Sequence, residues 1–248
     1  MRILIAGDEK REKILARLAF SHGHSFPDHG PWDQAVLSLP HSQITEELAD
    51  QLPRGQHIVC GLTSPAFDSL AQKRGWKLHR VLTDETYLRE NAALTAEGAL
   101  CAAMNLSDKA VSDSVCLVIG YGRIGKELTA MLRALHVCSI VTARRKESLE
   151  EAGEPAVSME NLFQALPKAD MLFNTVPAPV LDKNLLRMLR PKTLLFELAS
   201  APYGIDKNAA IDMKLSYHLE SGIPGRCFPE SAAEKLLSYM EREAEKNE

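Results

Sequence analysis

Val115-Cys116-Leu117-Val118-Ile119-Gly120-Tyr121-Gly122-Arg123-Ile124-Gly125 decides how this chain is read. Its first five residues form a short apolar, β-branched run, the pattern of a strand buried in a parallel sheet. A Gly-x-Gly-x-x-Gly turn follows, and from 126 to 135 the apolar residues Leu128, Met131, Leu132 and Leu135 recur at helical spacing. A second strand is expected over 137–142. Gly120 permits a tight strand-to-helix turn, Gly122 lets a pyrophosphate approach the backbone, and Gly125 lets helix and strand pack closely. The N–H groups of the helix start then face the phosphates. Such a turn alone is weak, but strand, turn, helix and strand together are the context a dinucleotide site requires.

The end of the second strand reads the ribose. An NAD site places an acid there, about 20 residues after the motif, to accept from the 2′-hydroxyl. This chain offers Ala143-Arg144-Arg145, with Ser148 nearby. Two guanidinium groups suit a 2′-phosphate, so NADP is the expected cofactor, with NAD as the alternative. The bland reading is a pair of solvated surface arginines.

Length and composition set the frame. The 248 residues suit one large or two small domains, and 45% hydrophobic with 25% charged residues is ordinary for a globular protein. A net charge of −4 without basic runs gives no reason to expect nucleic acid or an anionic membrane. The five cysteines show no paired spacing, so buried thiols in a reducing compartment are expected, Cys116 and Cys138 in core strands. No apolar run approaches the ~18 residues of a membrane span. A cytoplasmic protein that forms a homo-oligomer is expected.

Taken in order, the first third alternates β and α. Strands are expected over 2–6, 35–39, 57–60 and 76–81, and helices over 9–18, 45–52 and 66–74. Asp8 is placed to cap the first helix or to face a domain cleft, while Thr45 caps the second helix and Ser64 before Pro65 the third. His22, His24 and His29 lie close together, but no acid or cysteine joins them at metal-ligand spacing, so no metal site is expected. A helix over 84–104, rich in small residues, leads to a polar stretch at 105–114 that reads as a domain junction. The alternation then continues, with helices over 159–166 and 181–189 and strands over 171–175, 193–198 and 214–218. A turn at 221–226 and a final amphipathic helix over 230–245 complete it. The expected fold class is α/β, with two Rossmann-like domains of parallel, doubly wound sheets and a cofactor cleft between them. The expected domains are a smaller one at 1–90, on which a helix within 230–248 packs back, and a dinucleotide-binding one at 91–229.

With these segments placed, the chain resembles the dipicolinate synthase family of spore-forming bacteria, in the first of that enzyme's two subunits. The resemblance lies in Ile5-Ala6-Gly7-Asp8, Leu94-Thr95-Ala96-Glu97-Gly98 and Gly120-Tyr121-Gly122-Arg123-Ile124-Gly125. Asn174-Thr175-Val176-Pro177, Glu197-Leu198-Ala199-Ser200 and Gly222-Ile223-Pro224-Gly225 continue it in the same order. It covers about 90–235 closely, and more distantly extends to D-2-hydroxyacid dehydrogenases and adenosylhomocysteinase. It implies oxidation of dihydrodipicolinate to dipicolinate with NADP during sporulation, and a flavoprotein-like second subunit as partner. The chain departs from the family twice. Ala201-Pro202-Tyr203-Gly204 stands where the family has a basic residue and Pro-Gly-Gly, and Phe228-Pro229-Glu230-Ser231-Ala232-Ala233 where it has Ala-Pro-Lys-Thr-Ala-Gly.

A dicarboxylate substrate needs cations or N–H donors. Arg226, after the Gly-Ile-Pro-Gly turn, is the first candidate, and the helix start at 61–65 is the second. Glu97 is the candidate proton acceptor, on the expectation that burial raises its pKa. His218 reads as a structural histidine. Asn174, Thr175, Val176 and Pro177 end one strand and Ser200 follows another, so these are expected to contact nicotinamide or ribose. Two functions follow: an NADP-dependent oxidoreductase, or a cofactor-binding subunit or sensor without turnover.

Overall fold

Residues 1–7 and 9–246 are described by the computed structural model, and the chain divides into two units, Met1–Asn91 with Pro224–Glu248, and Ala92–Ile223. The expected cap Asp8 and the last two residues of the 230–248 segment lie outside the described residues.

The first unit begins β1 (Ile3–Ala6), α1 (Lys10–Ser21), β2 (Gln34–Leu37), α2 (Glu46–Gln51), β3 (His57–Cys60), α3 (Pro65–Arg74) and β4 (Lys77–Arg80). The strands form a parallel sheet in the order β1-β2-β3-β4. An isolated parallel bridge from Arg2 to Ser25 adds a short segment beyond β1, which makes the sheet doubly wound. Alternation along the strands sorts the core onto two faces. Ile3, Val36 and Val59 pack with Leu15 and Ala19 of α1, while Ala35, Leu37, Ile58 and Cys60 pack with Ala49, Phe67 and Ala71 of the opposite helices. The caps form locally. Thr45 Oγ1 accepts from Leu48 N (3.2 Å), and Ser64 Oγ accepts from Phe67 N (3.2 Å) ahead of Pro65.

α4 (Glu85–Leu106) runs from the first unit into the second, so the division falls inside a helix, between Asn91 and Ala92. The polar stretch at 105–114, expected as the junction, lies within the second unit. Polarity there marks a helix end, which need not coincide with a change of core.

The second unit continues with β5 (Val115–Ile119), α5 (Arg123–Ala134), β6 (Cys138–Ala143), α6 (Lys146–Ala152), β7 (Ala156–Ser158) and β8 (Met171–Asn174). α7 (Lys183–Leu186), β9 (Leu194–Glu197), α8 (Lys207–Asp212) and β10 (Ser216–Leu219) follow. Its six parallel strands lie in the order β10-β9-β8-β5-β6-β7. Renumbered within the unit this is 6-5-4-1-2-3, the order of a dinucleotide-binding sheet read from its far edge, with the switch point between β5 and β8. Leu117, Ile119, Leu172 and Leu195 form one face of its core with Leu162, Leu166, Leu181 and Leu186. The chain then returns to the first unit. There α9 (Ile223–Cys227) stands where a turn was expected, and α10 (Pro229–Glu245) lays Leu236, Leu237 and Met240 on the β1 and α1 side of the sheet.

Two expected helices change. The helix at 159–166 is two 3₁₀ turns, Met159–Gln164 and Leu166–Lys168. The helix at 181–189 shrinks to the four residues of α7, because Asp182 Oδ1 accepts from the N–H groups of Asn184 and Leu185 (2.9 Å each) and starts the helix late. β7, only three residues long, is too short to show a period. Of the cysteines expected in core strands, Cys116 is buried, and burial pushes its thiol up to about 12. Cys138, at the entry of β6, is exposed.

Candidate functional site

β5 delivers the chain to Gly120 at the switch point. Gly120 has φ +97°, and a Cβ there would lie 2.5 Å from Thr175 Oγ1 and 2.8 Å from Val176 Cγ2. At Gly125 a Cβ would stand 2.2 Å from the Gly120 carbonyl oxygen. These two glycines are crowded by the fold. Gly122 is different: a Cβ there meets no heavy atom within 4 Å. As N-cap of the twelve-residue α5 it has no side chain to close the helix start, so the backbone faces open space where an anion fits. Tyr121 and Ile124 are half-buried beside it, and Arg123 is exposed in the first turn.

Ile119 pairs with Thr142, so the end of β6 lies beside this turn. Arg144 and Arg145 follow, both exposed, and neither side chain has a hydrogen bond or ion pair among the described residues. Their neighbour Lys126, by contrast, is neutralised by Glu151 (2.6 Å) and sits 5.5 Å over the Tyr121 ring. The loop at 143–145 contains no carboxylate.

On the other side of the switch point, Thr175 donates twice to the Ile119 carbonyl oxygen, from N and from Oγ1, each at 2.9 Å. Asn174 is 0% exposed. Its Nδ2 donates to Val176 O (3.0 Å) and to Glu197 Oε1 (2.6 Å), and its Oδ1 accepts from Val176 N (3.2 Å). The expected contact between this side chain and nicotinamide is therefore replaced by an internal role, because its polar atoms are committed within the protein. Val176 is half-buried, and Pro177 and Ser200 are exposed at the strand ends. Glu97 is exposed on α4, so the burial on which its role as proton acceptor rested is missing. His218 stacks on Phe196 (5.5 Å) and bonds Ser216 Oγ (2.8 Å), a structural placement.

The first unit holds a cavity of about 590 Å³ outside the carboxyl ends of β2 and β3, lined by His41, Ser42, Leu62, Ser64, Phe67 and Leu70 among others. Here the helix start at 61–65 is partly used up. Gly61 N donates to Ser42 Oγ (2.9 Å), Leu62 N to Pro40 O (2.7 Å) and Phe67 N to Ser64 Oγ (3.2 Å). Since Pro65 carries no N–H, the amides left to offer at this helix start are those of Thr63, Ser64 and Ala66. Arg226 is exposed in the last turn of α9. Glu230 pairs with Arg17 at 2.8 Å. His22 and His24 both bond Glu241 Oε1, each at 3.0 Å.

Residues 83–215, more than half of the chain, match the family described as D-isomer specific 2-hydroxyacid dehydrogenase, NAD binding domain. The chain belongs to that family. It is 26% identical over 210 residues to a dipicolinate synthase subunit of Bacillus subtilis (strain 168), covering 84% of this chain and 71% of the relative. The corresponding dipicolinate synthase subunit from Bacillus halodurans superposes with a TM-score of 0.88 at 21% identity, over 98% of this chain and 97% of that one. A transhydrogenase from Sinorhizobium meliloti gives 0.74 at 14% identity, over 98% and 95%. At those structural identities the likeness speaks for the fold.

In this 2-hydroxyacid dehydrogenase-type domain the glycine turn, the two arginines and the turn after β8 come together at one end of the sheet. Glu197, fully buried at the end of β9, is a residue that sequence reasoning missed as part of the site. The available signal was an acid closing an otherwise apolar strand, Leu194-Leu195-Phe196-Glu197. No helix among the described residues is long and apolar enough to cross a membrane.

Proposed function

We propose that the chain is an NADP-dependent oxidoreductase of the dipicolinate synthase kind, acting on dihydrodipicolinate or a similar small carboxylated heterocycle. One observation carries the cofactor choice: the Arg144 and Arg145 guanidinium groups have no partner among the described residues, at the strand end where an NAD site keeps an acid. The open backbone at Gly122 fits the diphosphate. When bound, the nicotinamide takes up a hydride, and loss of that hydride with a proton makes the substrate ring aromatic. The balance is dihydrodipicolinate and NADP⁺ to dipicolinate, NADPH and H⁺.

The chain's own residues bind and orient. Arg144 and Arg145 hold the 2′-phosphate, Thr175, Val176 and Pro177 form the turn against nicotinamide or its ribose, and Ser200 joins them from the neighbouring strand end. Arg226 takes one substrate carboxylate, and the amides at the start of α3 take the other. With Glu97 exposed, the proton passes to solvent rather than to a buried base. The Bacillus subtilis relative is named as one subunit of a synthase, which supports a second subunit for this chain as well; the family resemblance makes that partner flavoprotein-like. A cytoplasmic homo-oligomer is part of the same reading.

The test is NADP⁺ reduction with dihydrodipicolinate, followed by nicotinamide absorbance, with and without a flavoprotein-like second subunit, beside affinities for NADP(H) and NAD(H). Turnover with tighter NADP(H) binding supports the reading, and tighter NAD(H) binding removes the NADP assignment. A second reading, a dinucleotide-binding subunit or sensor without turnover, is favoured by Ala201 standing where the family resemblance implies a basic residue. Tight NADP(H) binding without turnover in either assay would select it.

A further inference from the structure

β8 and β9 lie side by side, with Asn174 in register with Glu197 at their carboxyl ends. Glu197 is 0% exposed, and a carboxylate so placed is costly unless hydrogen bonds replace its water. Four N–H groups do so. Oε1 accepts from Asn174 Nδ2 (2.6 Å) and Ala199 N (3.2 Å), and Oε2 accepts from Gly204 N and Ile205 N (2.9 Å each). Asn174, oriented in this way, fixes both backbone groups of Val176. Gly204 completes the arrangement, because a Cβ there would lie 2.3 Å from Asn174 Nδ2. One carboxylate thus ties the turn after β8 to the loop that follows β9.

A dinucleotide-binding sheet consists of two mononucleotide-binding halves. β5, β6 and β7 carry the glycine turn and the ribose-reading arginines, which leaves β8 to β10 for the nicotinamide half. We propose that Glu197 is the positioning residue of the nicotinamide half: it holds the turns after β8 and β9 in the one arrangement that receives the ring, without touching it. The proposal rests on the dinucleotide reading of the glycine turn. All four partners are donors, so the position demands an acceptor-only side chain. Glutamine would set an amide NH₂ against two N–H groups at one of the oxygen positions. Aspartate is one methylene shorter and cannot reach both the Asn174 amide and the 204–205 amides.

The experiment titrates full-length wild type, Glu197→Gln, Gly204→Ala and Leu186→Ala by calorimetry, with thermal melts of each. The probes are NADPH and NADH, and the adenosine halves 2′,5′-ADP and ADP. Leu186, 1% exposed in the core of the same unit, is the stability control. Expected is a loss of about tenfold or more in whole-dinucleotide affinity for Glu197→Gln and Gly204→Ala, with the adenosine halves held within about twofold. Leu186→Ala is expected to lower the melting temperature and change neither affinity. Whole-dinucleotide binding by Glu197→Gln as tight as wild type overturns the proposal, as does equal weakening of dinucleotide and adenosine half. If Glu197→Gln does not fold, Gly204→Ala decides by the same criteria, since it keeps the carboxylate and displaces the Asn174 amide. A wild type that binds none of the four ligands refutes the dinucleotide reading, and the proposal falls with it; normal wild-type binding with an unaffected variant refutes the proposal alone.

Discussion

Gly120, Gly122 and Gly125 occupy three different surroundings, and substitution separates their roles. Gly120→Ala forces a methyl against Thr175 at a φ of +97°, and is expected to cost about 2 kcal/mol or more of stability, read by urea denaturation. Gly122→Val adds its side chain into open space. Its stability is expected to stay within about 0.5 kcal/mol of wild type, while dinucleotide affinity, measured by fluorescence titration, falls because the side chain occupies the diphosphate's approach. Unchanged affinity would remove Gly122 from the site. Arg144→Ala and Arg145→Ala test the ribose end. Each is expected to weaken NADP(H) about tenfold, the worth of one charge-assisted hydrogen bond, with little change for NAD(H). Equal loss for both cofactors would mean that the arginines act on a group the two share. At this scale the sequence was informative where chemistry depends on residue type: the glycine spacing and the missing acid were both legible. Glu97 was not, because neighbours of small side chain do not reveal which helix face is covered.

Among the elements, α10 shows how a sequence-distant segment is held. Leu236, Leu237 and Met240 supply the apolar face, and Gln34 Nε2 donates to the Met240 carbonyl (3.0 Å) from β2. Leu236→Ala is expected to cost about 2–5 kcal/mol, measured by urea denaturation. The last turns of α10 are held by histidines. Glu241 Oε1 meets His22 Nδ1 and His24 Nε2, and His24 Nδ1 meets the Met1 amine at 3.1 Å. Glu243 Oε2 meets His79 Nδ1, and His79 Nε2 meets His57 Nδ1, each at 2.9 Å. Burial pushes the Glu241 carboxyl up, but the bonds from His24 and His22 outweigh it and hold it below the usual range. Lys246 first, and then His79, hold Glu243 low against burial. Burial, followed by the neighbouring His79 and Lys77, holds His57 below its usual value. The signs agree. A His57 depressed on folding opposes protonation below its unfolded value of 6.5, and the two carboxylates lose their contribution as pH falls from 4.5 through their folded values. The urea midpoint is therefore expected to fall from pH 7 toward pH 4 (about the carboxylate range). Glu241→Gln with Glu243→Gln should flatten the acid end of that curve, and an unchanged slope would refute the assignment. Element positions were legible wherever a cap or period marked them, as at Ser64-Pro65. They were not at 159–166 and 181–189, where competing local bonds set the turn.

In the whole molecule, each unit has its own apolar core, and the chain passes between the two units at Asn91–Ala92 and again at Ile223–Pro224. Chains with separate cores commonly unfold in more than one step. Calorimetry with saturating NADPH is expected to raise the step belonging to Ala92–Ile223, by about 2.7 kcal/mol of stability at a hundredfold excess over Kd. A uniform rise of a single transition would show that the units unfold together. The sequence by itself determined the alternation of strand and helix, the glycine turn and the absence of an acid at the ribose position, since each is a property of neighbouring residues. Only the tertiary structure decided that Asn174 turns inward to Glu197, that Glu97 meets solvent, and that Leu236, Leu237 and Met240 share a core with Ile3 and Leu15. Burial and hydrogen-bond partners are set by residues far apart along the chain, and no local pattern carries that information.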